Sequence, residues 1–429
     1  MLGYLQQPSQ MTSEDRAAVV SEVASALAGR FPDMVVRGLR EEERPRVEEA
    51  ARILATDALA KRGLASSVTD VEDIVREVMA QAFGLGWLEP LLDMAARGEI
   101  TEIMLNPDGT VWTIPRGEVF PRPVQGLRLS PQAARVVIDK MLAVVGRRMT
   151  EAEPIVSAKL PRSERFPAGA RVHVVAPPIA NGEYPAVNIR FFEAKPVTRK
   201  RMVEEWRMLP PEMADVLEDA IRRRLRIVIA GGTGTGKTTF LSFLGNMIPP
   251  ENRILLVEDP AEIFLDRPHV VSLEARPPNL EGQFGVDMGQ LVTAAMRMTP
   301  RWWLIVGEVR RGDVGMWLFR AQMSDHPGLS TVHADSPREV VATFGTLLML
   351  DLNVKLAATK DLFRRAVDII VQIGFDPFGV RRVLEVVEVE PELKGGDVRF
   401  RPLWRYEAEK STRDAPVWEK VNDVSRVRR

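Results

Sequence analysis

One ten-residue stretch limits what this chain can fold into more than any other. Gly231 to Phe240 reads GGTGTGKTTF, immediately after the apolar run LRIVIA and at the head of a helical run, TTFLSFLGNMI, that Pro249 and Pro250 stop. The pattern G-x-x-x-x-G-K-[ST] between a strand and a helix is that of a phosphate-binding loop. Its glycines let backbone N–H groups turn inward around phosphate oxygens, and the helix N-terminus adds its dipole. Gly231, Gly232, Thr233, Gly234, Thr235, Gly236, Lys237, Thr238 and Thr239 are therefore the candidate nucleotide-binding residues. Lys237 is expected to reach the β- and γ-phosphates and the Thr238 hydroxyl to hold Mg²⁺, which makes ATP and Mg²⁺ the expected cofactors.

The surroundings of the loop set the fold class. From Pro210 onward, strand candidates at 225–230, 253–257, 302–306, 329–333 and 367–373, then VRRVLEVVEVEP, are mostly separated by helix-like stretches. That alternation argues for a largely parallel sheet flanked by helices. After Pro391 one more strand candidate, DVRFRPLWRYE, precedes a polar end that reads as frayed.

The texture ahead of this region is different. Residues 1–82 read as helices, one capped at Ser13, one stopping at Gly63 and one capped at Thr69 or Asp70. Residues 83–192 mix strand-like runs split by NPDG and PRG turns with a helix over SPQAARVVIDKMLAVVGRRM, a small α+β domain. EAKPVTRKRMVEE follows, and 193–209 reads either as an exposed linker or as a solvated charge run. The expected architecture is α/β: a phosphate-loop domain with a mostly parallel sheet and a C-terminal extension (210–429), preceded by a small α+β domain and an N-terminal helical region.

Two strand ends carry acids where an open α/β sheet binds ligands. RILLVEDPAEIF ends in Glu258, Asp259 and Glu262, and RWWLIVGEVRRGD places Gly307 and Glu308 after an apolar run. A carboxylate there can polarise an attacking water. Because Gly307 stands where many phosphate-loop enzymes have a metal-holding Asp, metal ligation would lean on Thr238, waters and either Glu258 or Asp259. In SDHPGLSTVHADSPRE, His326 and His333 are seven residues apart, a poor spacing for a metal on one helix face.

Composition closes off several alternatives. With no cysteine there is no thiol catalysis and no thiolate metal site. A net charge of -1, from 58 basic and 59 acidic side chains, gives no global attraction for nucleic acid, which argues against a nucleic-acid partner. No apolar run approaches the roughly 20 residues of a membrane span. The start MLGYLQQPSQMTSEDR lacks the basic and apolar segments of a signal peptide, so a cytoplasmic location without a direct membrane span is expected.

Taken together and in this order, the motifs resemble the type II/type IV secretion ATPase superfamily, over about residues 83–406. VEDPAE is similar to its acidic box, RMTPRWWLIVGEVR to its Walker B region and HPGLSTVHADSPRE to its histidine box. The branch most resembled is the tight-adherence (Tad/Flp) pilus ATPases, with conjugative type IV secretion ATPases next. The resemblance implies a homo-hexameric, RecA-like ATPase motor working with polytopic inner-membrane platform proteins, peripheral to the inner face of the cell membrane. It also implies that Glu308 is the catalytic carboxylate, with Glu258 or Glu262 in support, and that His333 and His326 sense the γ-phosphate. Arg171 in ARVHV and Arg190 in NIRFF would reach the nucleotide from the α+β domain. The sequence departs from the family at Arg301, which follows Pro300 where Asp is usual, and at Ser324-Asp325-His326, where Thr-Gly-His is usual. From other classes, a RecA-like nucleic-acid motor would show DNA-stimulated, salt-dependent turnover, and a nucleotide-binding scaffold would show none.

Overall fold

The computed structural model describes residues 11–31, 34, 39, 41–64, 67–118, 120–127, 129–162, 166, 168–192, 196–276, 285–298 and 302–426. The chain divides into two compact units, Met1–Phe192 and Glu193–Arg429. The Pro300–Arg301 step lies outside the described residues, as do 193–195 at the start of the charged segment.

The first unit opens with three helices, α1 (Ser13–Arg30), α2 (Arg44–Lys61) and α3 (Val68–Ala82), packed around Val23, Leu27, Ala51, Leu59, Ile74 and Val78. The caps fall just ahead of the expected residues. Thr12 caps α1 through Asp15, and Ser67 caps α3 through Asp70, each as a reciprocal capping box. The short α4 (Glu89–Ala96) leads into β1 (Ile100–Leu105), β2 (Val111–Pro115) and β3 (Arg122–Pro123). Then come α5 (Pro131–Ala143), β4 (Ile155–Leu160), β5 (Ala170–Val175) and β6 (Ala186–Phe191). The six strands form an antiparallel sheet in the order β3-β2-β1-β6-β5-β4. Lys140 on α5 donates to the carbonyls of Gln81, Ala82 and Gly84, which serves the otherwise unmet carbonyls at the end of α3.

The second unit starts with the charged segment, and here the expectation of an exposed linker is corrected. Arg201–Glu205 form a π-helical turn, and Val197, Met202, Met208 and Leu209 are buried in the core of this unit. The basic residues conceal an apolar set that covers α6 (Pro211–Arg222), while their own heads stay at the surface.

Beyond α6 the elements alternate. They are β7 (Ile227–Ala230), α7 (Lys237–Gly245), β8 (Ile254–Glu258), β9 (Val270–Glu274), α8 (Met288–Ala295), β10 (Trp303–Val306) and α9 (Gly312–Met323). β11 (Gly328–Val332), α10 (Pro337–Leu352), α11 (Leu356–Ala366), β12 (Ile369–Phe375), β13 (Arg381–Val389), β14 (Phe400–Tyr406) and β15 (Trp418–Lys420) complete the unit. Among the described residues the sheet has nine strands, ordered β15-β14-β13-β12-β7-β11-β10-β8-β9. The strands from β12 to β9 are parallel and β13 to β15 add antiparallel hairpins.

β7, β8, β10 and β11 are buried along their whole length, as expected where helices cover both faces. At the start of β7, Asp368 takes hydrogen bonds from Arg226 N, Nε and Nη2, with Arg426 3.3 Å away, and both Arg226 and Asp368 are buried. The frayed-end expectation is also corrected. β15 pairs with β14, and Ser425 and Arg426 are bound by the carboxylate of Glu388. The polar residues there serve buried partners instead of water.

Candidate functional site

β7, β10 and β11 run parallel, so their C-terminal ends lie along one edge of the sheet. The phosphate-binding loop leaves the end of β7 and enters α7 at Lys237. Gly234 and Gly236 hold φ of +75° and +94°, a region that strongly favours glycine. A Cβ on Gly231 would stand 2.5 Å from the carbonyl oxygen of Ile373, so no side chain fits there. Thr235 is buried and its hydroxyl donates to Gly232 O at 2.9 Å, tying the loop across itself. Thr238 and Thr239 follow in the first turn of α7, half-buried.

Lys237 is buried, and its ammonium donates to the carbonyls of Gly231 and Gly232, each at 2.8 Å. The cation lies inside its own loop, where a bound phosphate would take the place of the two carbonyls. Burial pushes the Lys237 ammonium below its ordinary value, and the charge of Glu308 opposes that shift.

Glu308 follows the end of β10. A Cβ on Gly307 would stand 3.2 Å from Glu258 Cγ, so the glycine lets β10 end close beside Glu258. Thr331 donates to Gly307 O at 2.6 Å and fixes the turn that aims Glu308. Arg310 and His333 flank the carboxylate of Glu308. Oε1 lies 2.8 Å from His333 Nε2, and Oε2 accepts from Arg310 Nε at 2.8 Å and pairs with Arg310 Nη2 at 2.5 Å.

His333 follows the end of β11, and its Nδ1 is 3.4 Å from the Lys237 ammonium. Burial, and then the Lys237 charge, hold His333 below the ordinary imidazole value. The Lys237 ammonium is also 3.5 Å from His333 Nε2, so it stands off the ring edge within reach of both nitrogens. Lys237, His333 and Glu308 thus form one polar line from the phosphate loop to the strand-end carboxylate. Beside it opens a pocket of about 550 Å³ lined by Gly232, Thr233, His333, Asp335, Glu339 and Thr343.

Glu258 ends β8 on the same edge and is buried; its Oε1 accepts the N–H groups of Glu262 and Ile263, each at 2.9 Å. Its observed work is to fold the acidic segment, while Glu262 joins this turn through its backbone.

His326 is a correction. It precedes β11 and stacks on Trp302 at 4.2 Å, so it lies at the N-terminal end of the strand whose C-terminal end carries His333. Seven residues of nearly extended chain separate the two imidazoles by about 20 Å, and the structure does not bring His326 to the phosphate loop. Arg171 and Arg190 belong to the first unit, where they stand directly opposite each other on β5 and β6. Arg190 is exposed and pairs with Glu102 at 2.8 Å. Sequence reasoning missed Arg310, two residues beyond Glu308 in a run of charge, and Arg381, which donates to Gly234 O at 2.7 Å from the first residue of β13.

The donor set fits the expected ligands. An inward-turned, glycine-shaped loop with a lysine inside it fits phosphates, and Thr238 offers one hydroxyl, which suits Mg²⁺ that takes its other ligands from phosphate and water. Among the described residues no three His, Asp or Glu side chains cluster as a metal cage, an arrangement that phosphate-bound Mg²⁺ does not need.

Fold and site define a RecA-like domain with a phosphate-binding loop. The model of the type II/IV secretion system protein family matches residues 96–371, more than half of the chain, and the chain belongs to that family. A putative conjugal transfer protein of Mycobacterium tuberculosis is 32% identical over 320 residues, 74% of this chain and 88% of the relative. The conjugal transfer protein TrbB of Rhizobium radiobacter is 32% identical over 295 residues, 68% of this chain and 84% of the relative. Among solved structures, the pilus retraction motor PilT with bound ADP superposes with a TM-score of 0.52 at 18% identity, covering 72% of this chain and 82% of its own. The Legionella pneumophila ATPase DotB gives 0.52 at 16% identity, covering 70% and 80%. At these identities the structural likeness speaks for the fold. Among the described residues no helix is long and apolar enough to cross a membrane.

Proposed function

We propose that this chain hydrolyses ATP as a homo-hexameric motor, peripheral to the inner face of the cell membrane, and drives pilus assembly of the tight-adherence kind through polytopic platform proteins. The observation that carries the ATPase reading is the line Lys237–His333–Glu308, with Lys237 held inside the phosphate loop and Glu308 aimed from the neighbouring strand edge. Bound Mg²⁺ supplies charge neutralisation on the phosphates. Lys237 leaves the two loop carbonyls for the β- and γ-phosphates, and Thr238 offers its hydroxyl to the metal. Glu308 polarises the attacking water once His333 or Arg310 releases one of its oxygens. His333, standing between lysine and glutamate, responds to the charge of the γ-phosphate. Arg171 and Arg190 add charge from the first unit, which couples nucleotide state to unit position.

A second reading, a conjugative secretion motor, is favoured by the conjugal transfer relatives. Both differ from a nucleic-acid motor in needing no DNA. The test is phosphate release by purified wild-type protein and Lys237→Ala, with and without DNA, and light scattering with and without ATP. Wild-type turnover independent of DNA, abolished in the variant, together with an ATP-favoured hexamer, is expected. Unchanged turnover in Lys237→Ala would remove the phosphate-loop assignment.

A further inference from the structure

The edge of the phosphate loop away from Glu308 and His333 carries two side chains that the reading above leaves without a task. β12 lies beside β7 in parallel register, from Ile369 opposite Ile227 to Gln372 opposite Ala230. β7 breaks into the loop at Gly231, but β12 continues to Phe375, a residue 37% exposed despite its place in a sheet. Directly across from Phe375 on β13 stands Arg381, so both side chains project from the same face. The Arg381 guanidinium lies 5.8 Å from the centroid of the Phe375 ring, while its Nε donates to Gly234 O at 2.7 Å. Its Cδ is 3.6 Å from where a Cβ on Gly236 would stand. The hairpin is therefore fastened to the phosphate loop and presents an aromatic face beside it.

A nucleoside triphosphate has two ends. The γ-phosphate belongs on the side of Glu308 and His333, where water is polarised, so the nucleoside leaves the cradle on the opposite side. That side is the β12–β13 edge. A flat, part-exposed aromatic ring there matches the π-face of a base, and a guanidinium next to it matches the acceptor nitrogens of the base and the nearest phosphate. We propose that Phe375 is the stacking platform for the base of the bound nucleotide and that Arg381 is a positioning residue, which holds the ring and Gly234 in fixed relation. This inference rests on the ATPase reading.

The test separates the nucleoside from the phosphates. Wild-type protein, Phe375→Ala, Phe375→Leu and Phe375→Tyr are titrated with Mg·ATP and with Mg·tripolyphosphate, which has the phosphates and no base. Phe375→Leu keeps apolar bulk and guards against a folding defect, which melting curves check directly. Loss of the ring is expected to weaken ATP about tenfold, in line with base stacking on an aromatic side chain, to leave tripolyphosphate within about twofold, and to be restored by Tyr. Equal weakening of both ligands, or of neither, would overturn the platform while leaving the phosphate loop standing. A wild-type protein that binds neither ligand would overturn the ATPase reading and the platform with it.

Discussion

Replacing Glu308 with glutamine isolates a single charge at the centre of the site. The shape of the side chain is kept, but one of the two oxygens becomes an NH₂ donor. Arg310 only donates, so the remaining oxygen must face its fork at Nε and Nη2. The NH₂ then stands on the side of His333, whose Nε2 lies 2.8 Å from Oε1. The substitution thus removes the base and the negative charge that acts on Lys237 and His333. A positioned general base contributes about 10²–10⁴ in rate, or roughly 2.7–5.4 kcal/mol at 1.36 kcal/mol per tenfold. Glu308→Gln should therefore bind ATP and lose at least a hundredfold in steady-state phosphate release, while Glu308→Asp, which keeps the charge, retains more. Glutamine turnover within about threefold of wild type would refute this reasoning and move the catalytic carboxylate to Glu262 or Glu258.

Alanine at Arg171 or Arg190 should leave ADP affinity unchanged and cut turnover at least tenfold; unaltered ATPase in both would sink their proposed role, since loss of an exposed pair such as Arg190–Glu102 costs only about 0–1 kcal/mol of stability. Burial holds His326 below the ordinary imidazole value of about 6.5. Below that pH the unfolded chain binds more protons than the native one, so stability falls as pH falls until the lowered native value is passed. The melting temperature should drop between pH 7.5 and 5.5, and by less in His326→Phe, which keeps a ring against Trp302; equal drops would exclude His326 as a cause. Asp368→Asn removes the charge that balances buried Arg226 and should cost about 3–5 kcal/mol, read as a large fall in melting temperature.

The phosphate loop was legible because its glycines are required by backbone geometry that few other residues adopt. The buried parallel strands were legible because they are continuous apolar runs. β9 was missed, being a half-exposed edge strand without a clear apolar run. The segment at 197–209 was misread because its charges outnumber the few apolar residues that decide its burial. The two histidines shared one motif, yet a five-residue strand between them carries them to opposite ends of the sheet. Arg310 and Arg381 could not be singled out from pattern alone, since their importance comes from carbonyl and carboxylate partners supplied by the folded chain.

Only four histidines exist in the chain, and the fold distributes them widely. His333 stands at the nucleotide edge, and His326 stacks on Trp302 at the other end of the same strand. His269 precedes β9, where its carbonyl accepts from Ile254 N, and His173 pairs with Ser157 in the first unit. Histidine-selective isotope labelling would therefore give four sets of ring resonances in a 429-residue protein, each reporting from a different region. Nucleotide should move the His333 signal, with His326 as an internal reference from the same strand, so a magnetic-resonance titration can separate local binding from a change that spreads through the sheet.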